Sequence, residues 1–268
     1  MRPAPLALYT ATAGGLGLAF KGVVLHQSVP LALALPYLGA YLALVAAGTA
    51  MPRLGLWGDA LCSVPGGRGV AFGFDDGPHP EHTPRVLEAL ERYRAKATFF
   101  MIGEKVERHP EVARAVARAG HEIGAHGHRV DRVLAFRGLP AIRDDLARSV
   151  GAIEAATGAR PALFRPPYGV LNPRFFRACD ELSLEVVGWS VRALDGVART
   201  SAERAARRVI RGLRDGAIVC MHDAPEQGDR RPVAAEALPA IFEALGRSQL
   251  DAVTVSELIA SRPDAPDD

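Results

Sequence analysis

Polar and apolar positions divide the chain into two unequal parts. From Ala4 to Phe20 the only non-apolar side chains are Tyr9, Thr10 and Thr12, and from Val29 to Met51 two tyrosines are the only ionisable groups. A bilayer core takes roughly 20 apolar residues as helix, so the second run is long enough to span and the first is marginal. Lys21, His26 and Gln27 separate the runs, which predicts an N-terminal membrane helical hairpin over residues 1–52, in contact with membrane lipid. Gly14, Gly15, Pro30 and Pro36 would weaken a soluble helix but are tolerated in membrane helices. A cleavable signal is the rival reading, because Arg2 precedes an apolar stretch and Ala46 to Ala50 are small; the combined apolar length exceeds that of an ordinary signal peptide. A hairpin would place Arg2 and Arg53 on one side and Lys21 on the other, a faint positive-inside indication of a cytoplasmic domain, whereas a single span would place the domain outside.

After a Pro/Gly-containing linker, residues 53–68, short apolar runs alternate with amphipathic stretches. The runs predict strands at Val70–Phe74, Ala97–Ile102, Glu122–Ala125, Ala162–Phe164, Glu185–Trp189, Ala217–Met221 and Ala252–Val255. The stretches between predict helices at Thr83–Tyr93, Pro110–Ala119, Pro140–Thr157, Asn172–Leu182, Ser201–Leu213 and Val233–Gly246. Repeated βα units imply an α/β fold of parallel strands whose right-handed crossovers close a barrel or wind a sheet. The domain runs over residues 69–262, and 263–268 read as a disordered tail.

The first strand, Val70-Ala71-Phe72-Gly73-Phe74, ends in Asp75-Asp76-Gly77-Pro78. Two adjacent carboxylates repel each other and persist at low cost beside a metal or an arginine; an ordinary solvated turn is the plainer reading. In parallel α/β folds the carboxyl ends of strands face the same way. Asp75 and Asp76 then fall near Glu104, His126 and His128, Arg165, Trp189 and Asp195, and His222 with Asp223, each following a later predicted strand. His109 and His121 read as surface or packing residues, and His79 and His82 as loop residues.

Composition adds exclusions. With 32 Lys+Arg against 30 Asp+Glu there is no general case for nucleic-acid binding. Cys62, Cys179 and Cys220 are odd in number and far apart, so they read as reduced thiols, with Cys220 packed inside an apolar run.

Five strings occur in order: Phe74-Asp75-Asp76-Gly77-Pro78, Thr98-Phe99-Phe100, Gly120-His121-Glu122-Ile123-Gly124-Ala125-His126, Arg165-Pro166-Pro167-Tyr168-Gly169 and Met221-His222-Asp223. This series resembles the NodB-homology polysaccharide deacetylases, carbohydrate esterase family 4, from about Gly69 to Leu258. The resemblance implies a distorted (β/α)7-type barrel and metal-dependent hydrolysis of an N-acyl group on a glycan. It implies that Asp75 is the general base, Asp76 and His126 ligate a divalent metal such as Zn, Co or Ni, and Arg165 pairs with the base. It also implies that the Tyr168 backbone N–H faces the oxyanion and that His222, oriented by Asp195, is the general acid. Trp189, Tyr168 and Pro166 are candidate substrate contacts, with core packing the alternative for Trp189.

Two departures stand out. Relatives carry His-x-x-x-His, whereas this chain reads His126-Gly127-His128-Arg129-Val130, and Val130 cannot coordinate; with Asp76 and His126 as the only protein ligands the affinity would be weaker, unless His128 or, less readily, Asp131 substitutes. Where relatives have Asp-Trp, this chain has Asp195-Gly196. The readings left open are a membrane-attached sugar deacylase acting on a cell-envelope polymer or lipid carrier, a noncatalytic carbohydrate-binding relative, and a hydrolase of a non-sugar amide.

Overall fold

The computed structural model describes residues 3–129, 131, 133–196, 200–225 and 231–263. Two helices come first, α1 (Pro3–Val23) and α2 (Leu31–Ala50). They pack on each other, with the Tyr37 hydroxyl donating to the Ala11 carbonyl and the Thr12 and Tyr41 hydroxyls 3.3 Å apart. Their large apolar side chains, Leu16, Phe20, Leu31 and Leu35 among them, remain exposed. A helix apolar on all sides needs an apolar surrounding. Among the described residues α2 alone is long and apolar enough to cross a bilayer, so one spanning helix is the extent of the match to the expected hairpin.

The domain that follows holds, in chain order, β1 (Val70–Asp75), α3 (His82–Arg92), β2 (Thr98–Met101), α4 (Gly103–Arg108), α5 (Pro110–Arg118), β3 (Glu122–Ala125), α6 (Leu139–Thr157) and β4 (Leu163–Phe164). Then come α7 (Pro173–Glu181), β5 (Glu185–Val186), β6 (Val191–Arg192), α8 (Ala202–Ile210), β7 (Ala217–His222), α9 (Ala234–Arg247), β8 (Ala252–Val253) and α10 (Val255–Ala260). The strands form one eight-stranded parallel sheet in the order β5-β4-β3-β2-β1-β7-β6, with β8 pairing with the start of β1. Every residue of β1 is buried, which explains its unbroken apolar run: a parallel strand covered on both faces need not alternate.

The barrel is not closed by its own end strands, since β5 and β6 do not pair with each other. The linker enters there. Leu61 bridges Val187 and Ser63 bridges Ala217, while Leu61 N–H donates to the Val186 carbonyl at 2.8 Å. This insertion shortens the predicted strand Glu185–Trp189 to two residues and makes β6 a separate element. Helices α4 and α10 and strand β6 were not foreseen, because pieces of six, six and two residues are too short to display a period. For α10 a local signal existed: Thr254 and Glu257 form a capping box.

The end of α2 is seated on this domain. Leu171 N–H donates to the Thr49 carbonyl at 3.0 Å, and Trp57 Nε1–H donates to Thr49 Oγ1 at 3.1 Å. Gly48 has no side chain where the buried Leu56 packs against the helix.

Candidate active site

Sheet register, more than any single motif, gathers the polar residues. Asp75 is level with Phe100 on β2 and His222 on β7; Met101 is level with Ala125, and Ala125 with Phe164. His126 and Arg165 each follow the last residue of their strands, so Asp75, His126, Arg165 and His222 emerge at one rim.

Arg165 is fully buried beside Asp75, its Nη1–H donating to Asp75 Oδ1 at 2.8 Å and its Nη2–H to the Gly188 carbonyl at 3.2 Å. Its guanidinium lies 4.0 Å from the centre of the Phe100 ring. The space it fills exists because Gly73 lacks a side chain; a Cβ there would collide with the guanidinium. Burial by itself would raise the Asp75 pKa, but Arg165, His126 and His222 together outweigh it and hold the carboxyl below its usual value. On the other oxygen, the Cys220 thiol donates to Asp75 Oδ2 at 3.4 Å. Burial, with the Asp75 charge, pushes that thiol well above its ordinary pKa, so Cys220 is a donor and no nucleophile.

Asp195 grips His222 twice: its Oδ1 lies 2.9 Å from His222 Nδ1, and its Oδ2 accepts the His222 backbone N–H at 2.8 Å. Burial alone would lower the His222 pKa; Asp195 first, then Asp75 and Asp76, override it and raise it to about 9. At neutral pH the rim therefore pairs an ionised carboxylate with a protonated imidazole, the charge states that a base and an acid need.

Asp76 has a left-handed backbone, φ 73°, a region that aspartate enters more readily than most residues. Its Oδ1 lies 3.5 Å from His126 Nε2, and both residues are buried. Burial depresses the His126 pKa to about 4, so its ring is neutral, and the buried Nδ1 has no hydrogen-bond partner among the described residues. A neutral imidazole beside a buried carboxylate is a donor pair that fits a divalent cation, with remaining positions left to solvent or substrate. His128 does not join it. Its Nδ1 lies against Gly103 at the start of α4, and its Nε2 lies 3.8 Å from Glu107 Oε2. Asp131 pairs with Arg137 at 2.7 Å, and Glu104 opens α4 facing Arg129 at 3.7 Å, so neither supplies a replacement ligand. Val130 lies outside the described residues.

Another set of donors, Asp75, Cys220 and His222, lies within 4.8 Å of one another. Arg165 already compensates Asp75, and His222 carries its own positive charge, so this set is suited to moving protons and disfavours a further cation.

Around the rim, Pro166 is buried, and Tyr168 adopts φ 59°, a strained conformation for an aromatic residue, with its ring exposed. Trp189 is half-buried, its ring edge lying against Gly169, and the Arg192 guanidinium lies 5.4 Å from the ring centre. Trp189 is thus a rim residue. At Gly196 a side chain would reach the His222 ring at 3.4 Å, so its absence leaves that face of the imidazole open. His79 accepts the backbone N–H groups of Glu81 and His82 at Nδ1 and stacks on the His82 ring, a turn-forming role.

Cys220 and Lys105 were missed as site residues. Cys220 precedes His222 by two positions on a strand and so shares its face, a signal available from alternation. Lys105, whose Nζ donates to the carbonyls of Asp76 and Pro225 at 2.7 Å each, comes from the unforeseen α4 and left no such trace.

Residues 63–187 match the family model described as polysaccharide deacetylase. A peptidoglycan-N-acetylglucosamine deacetylase of Bacillus cereus is 35% identical over 192 residues, covering 71% of this chain and 87% of that protein. A family 4 acetyl xylan esterase from Clostridium thermocellum, solved with a cobalt ion, superposes with a TM-score of 0.66 at 35% identity over 71% of this chain and 90% of its own. A CE4 family pseudoenzyme from Bacillus anthracis superposes with a TM-score of 0.67 at 27% identity, covering 74% of this chain and 68% of its own. A mutant of that pseudoenzyme with restored enzymatic activity matches with a TM-score of 0.67 at 28% identity, over 74% of this chain and 70% of its own.

Proposed function

This chain belongs to the polysaccharide deacetylase family and is a hydrolase of amide bonds, and from that premise we propose that it removes an N-acetyl or related N-acyl group from a sugar of a cell-envelope polysaccharide or lipid-linked glycan. The observation that carries the reading is the coexistence on one rim of the Asp75–Arg165 pair at 2.8 Å and the His222–Asp195 pair at 2.9 Å. Asp75, kept ionised by Arg165, takes a proton from the attacking water as its oxygen bonds to the acyl carbon. The Tyr168 backbone N–H faces the oxygen that gains negative charge. As the C–N bond breaks, His222 gives its proton to the departing amine, leaving a carboxylate and a free amino sugar; Asp195 holds His222 in the protonated form until then. Asp76 and His126 would hold a divalent cation, Zn, Co or Ni, whose chemistry when bound is Lewis-acid polarisation. Trp189, Tyr168 and Pro166 would form the wall against which the sugar ring lies.

Membrane attachment through α2 belongs to the same reading. Cleavage after residue 50 would strip Leu56 and the Leu171 N–H of their contacts with Gly48 and Thr49, which supports retention of the helix.

The direct test is release of acetate or formate from acylated amino-sugar oligomers by the full chain, with Asp75→Asn as control. Equal release by both proteins would remove the proposal. A second reading, a carbohydrate-binding relative without catalysis, is favoured by the placement of His128 Nε2 3.8 Å from Glu107 and by the likeness to a pseudoenzyme. It expects glycan binding without hydrolysis and without bound metal, and Val130→His should then raise metal occupancy.

A further inference from the structure

Where α2 ends, a cavity of about 250 Å³ lies between Ala50–Arg53 and Trp189, Ser190 and Arg192. At roughly 30 Å³ per water it holds about eight waters' worth of space, room for a phosphate ester and part of a sugar ring. Both arginines are exposed, and the Arg192 guanidinium lies over the Trp189 ring, 5.4 Å from its centre. Two exposed guanidinium groups in a concave site, each able to donate two parallel hydrogen bonds, are suited to phosphate rather than to a neutral glycan.

Position supplies the second line of argument. Ala50 is the last residue of the spanning-length helix, so the cavity opens where that apolar run stops, the level at which lipid phosphates lie. The other wall adjoins the catalytic rim: the Gly188 carbonyl, one residue before Trp189, accepts a hydrogen bond from the Arg165 that pairs with Asp75. Pro52 lies 3.5 Å from where a Cβ would stand on Gly169, next to Tyr168. The end of the helix, the arginines and the site rim are therefore continuous.

We propose that this cavity is a phosphate subsite in which Arg53 and Arg192 hold the phosphate ester of a membrane lipid, that of a lipid-linked N-acylated sugar whose ring extends over Trp189 toward Asp75. The inference rests on the deacylase reading above and adds the substrate class. A phosphate anchored at the bilayer surface would fix the sugar at one distance from the membrane, and the domain, tied to α2 through Thr49 and Gly48, would be held at that same height. Binding energy from the remote phosphate would then be available for orienting the acyl group.

The test uses the full chain in phosphatidylcholine nanodiscs and the double variant Arg53→Gln/Arg192→Gln. Deacylation is measured on an N-acetylglucosamine oligomer in water and on N-acetylglucosamine linked through phosphate to a polyprenyl chain. The expected result is a loss of kcat/KM on the lipid-linked substrate of roughly tenfold or more, with the soluble oligomer changed by less than about twofold. Inorganic pyrophosphate should inhibit the wild type on the lipid-linked substrate and lose that effect on the variant. Equal losses on both substrates, or no loss on either, would overturn the subsite. Replacing phosphatidylcholine by phosphatidylglycerol separates the two sources of phosphate. Inhibition that disappears in the variant would assign the arginines to bilayer headgroups and overturn the substrate assignment, while an unchanged rate supports the lipid-linked sugar. Calorimetric titration with pyrophosphate keeps the two levels apart. Pyrophosphate binding that depends on the arginines, in a protein inactive on every glycan, would sink the deacylase reading and leave the subsite standing; absent binding would sink the subsite alone.

Discussion

Arg165 Nη1 and Asp75 Oδ1 lie 2.8 Å apart, and both side chains are closed off from solvent. A buried carboxylate stripped of its cation pays its full desolvation, so removing one partner of such a pair costs about 3–5 kcal/mol. Arg165→Met should lower stability by that order and reduce kcat/KM by roughly a hundredfold or more, as Asp75 loses its ionised, oriented state. Because the folded-state pKa of Asp75 is depressed, the stability contributed by the pair is present above the unfolded value of 3.8 and disappears as pH falls through the folded one. Urea unfolding of wild type and variant between neutral and acid pH should show the two curves converging on acidification.

Cys220 should act through Asp75. Loss of a hydrogen bond from a weak donor to an ionised carboxylate is worth about 1.5 kcal/mol, or roughly tenfold in rate. Cys220→Ala is therefore expected to lower kcat by that order with KM little changed, and Cys220→Ser, which keeps a donor, should recover most of it. A purely packing role would instead make Ser, the more polar replacement in a buried place, the worse of the two, and steady-state kinetics on both variants decides.

The pH profile should report His222. With its pKa raised to about 9 and that of Asp75 lowered, kcat/KM should plateau across neutral pH and fall on the basic side near 9. Asp195→Asn removes the main force opposing burial, so the basic limb should move to lower pH. The sign for stability follows the same shift. A raised histidine pKa contributes stability in full below 6.5 and loses it as pH rises through about 9, so wild type and Asp195→Asn should differ most in mildly acid solution. A basic limb that stays in place in the variant would assign the acid to another group.

Gly48 controls how α2 meets the domain. Any side chain there enters the volume of Leu56, and overpacking of this kind costs about 1–3 kcal/mol. Gly48→Val should lower the melting temperature of the full chain in detergent. Mass spectrometry of the membrane-fraction protein should return a chain that still contains residues 31–50.

Much of the candidate site was legible in the chain because strands of a parallel sheet deliver their ends to one rim. The apolar run into Asp75-Asp76, the Arg165 after a short strand and His222 at the end of another needed only that rule. The orientation of His128 was not legible: its neighbours Gly103 and Glu107 belong to α4, whose six residues carry no readable period. Nor was the bond from Cys220 to Asp75, which joins residues 145 positions apart.

The sequence by itself determined the alternation of strand and helix, the apolar character of the N-terminal part and the set of titratable side chains that stands at the strand ends. These are carried by local pattern, since burial on both faces, helical amphipathicity and the chemistry of individual side chains are written residue by residue. The tertiary structure alone decided that Leu61 fills the open edge between β5 and β6, that the Cys220 thiol donates to Asp75, and that the end of α2 sits against the rim. Those contacts depend on sheet register and on which short segment reaches a gap first, quantities set by the whole packed chain and by no window of it.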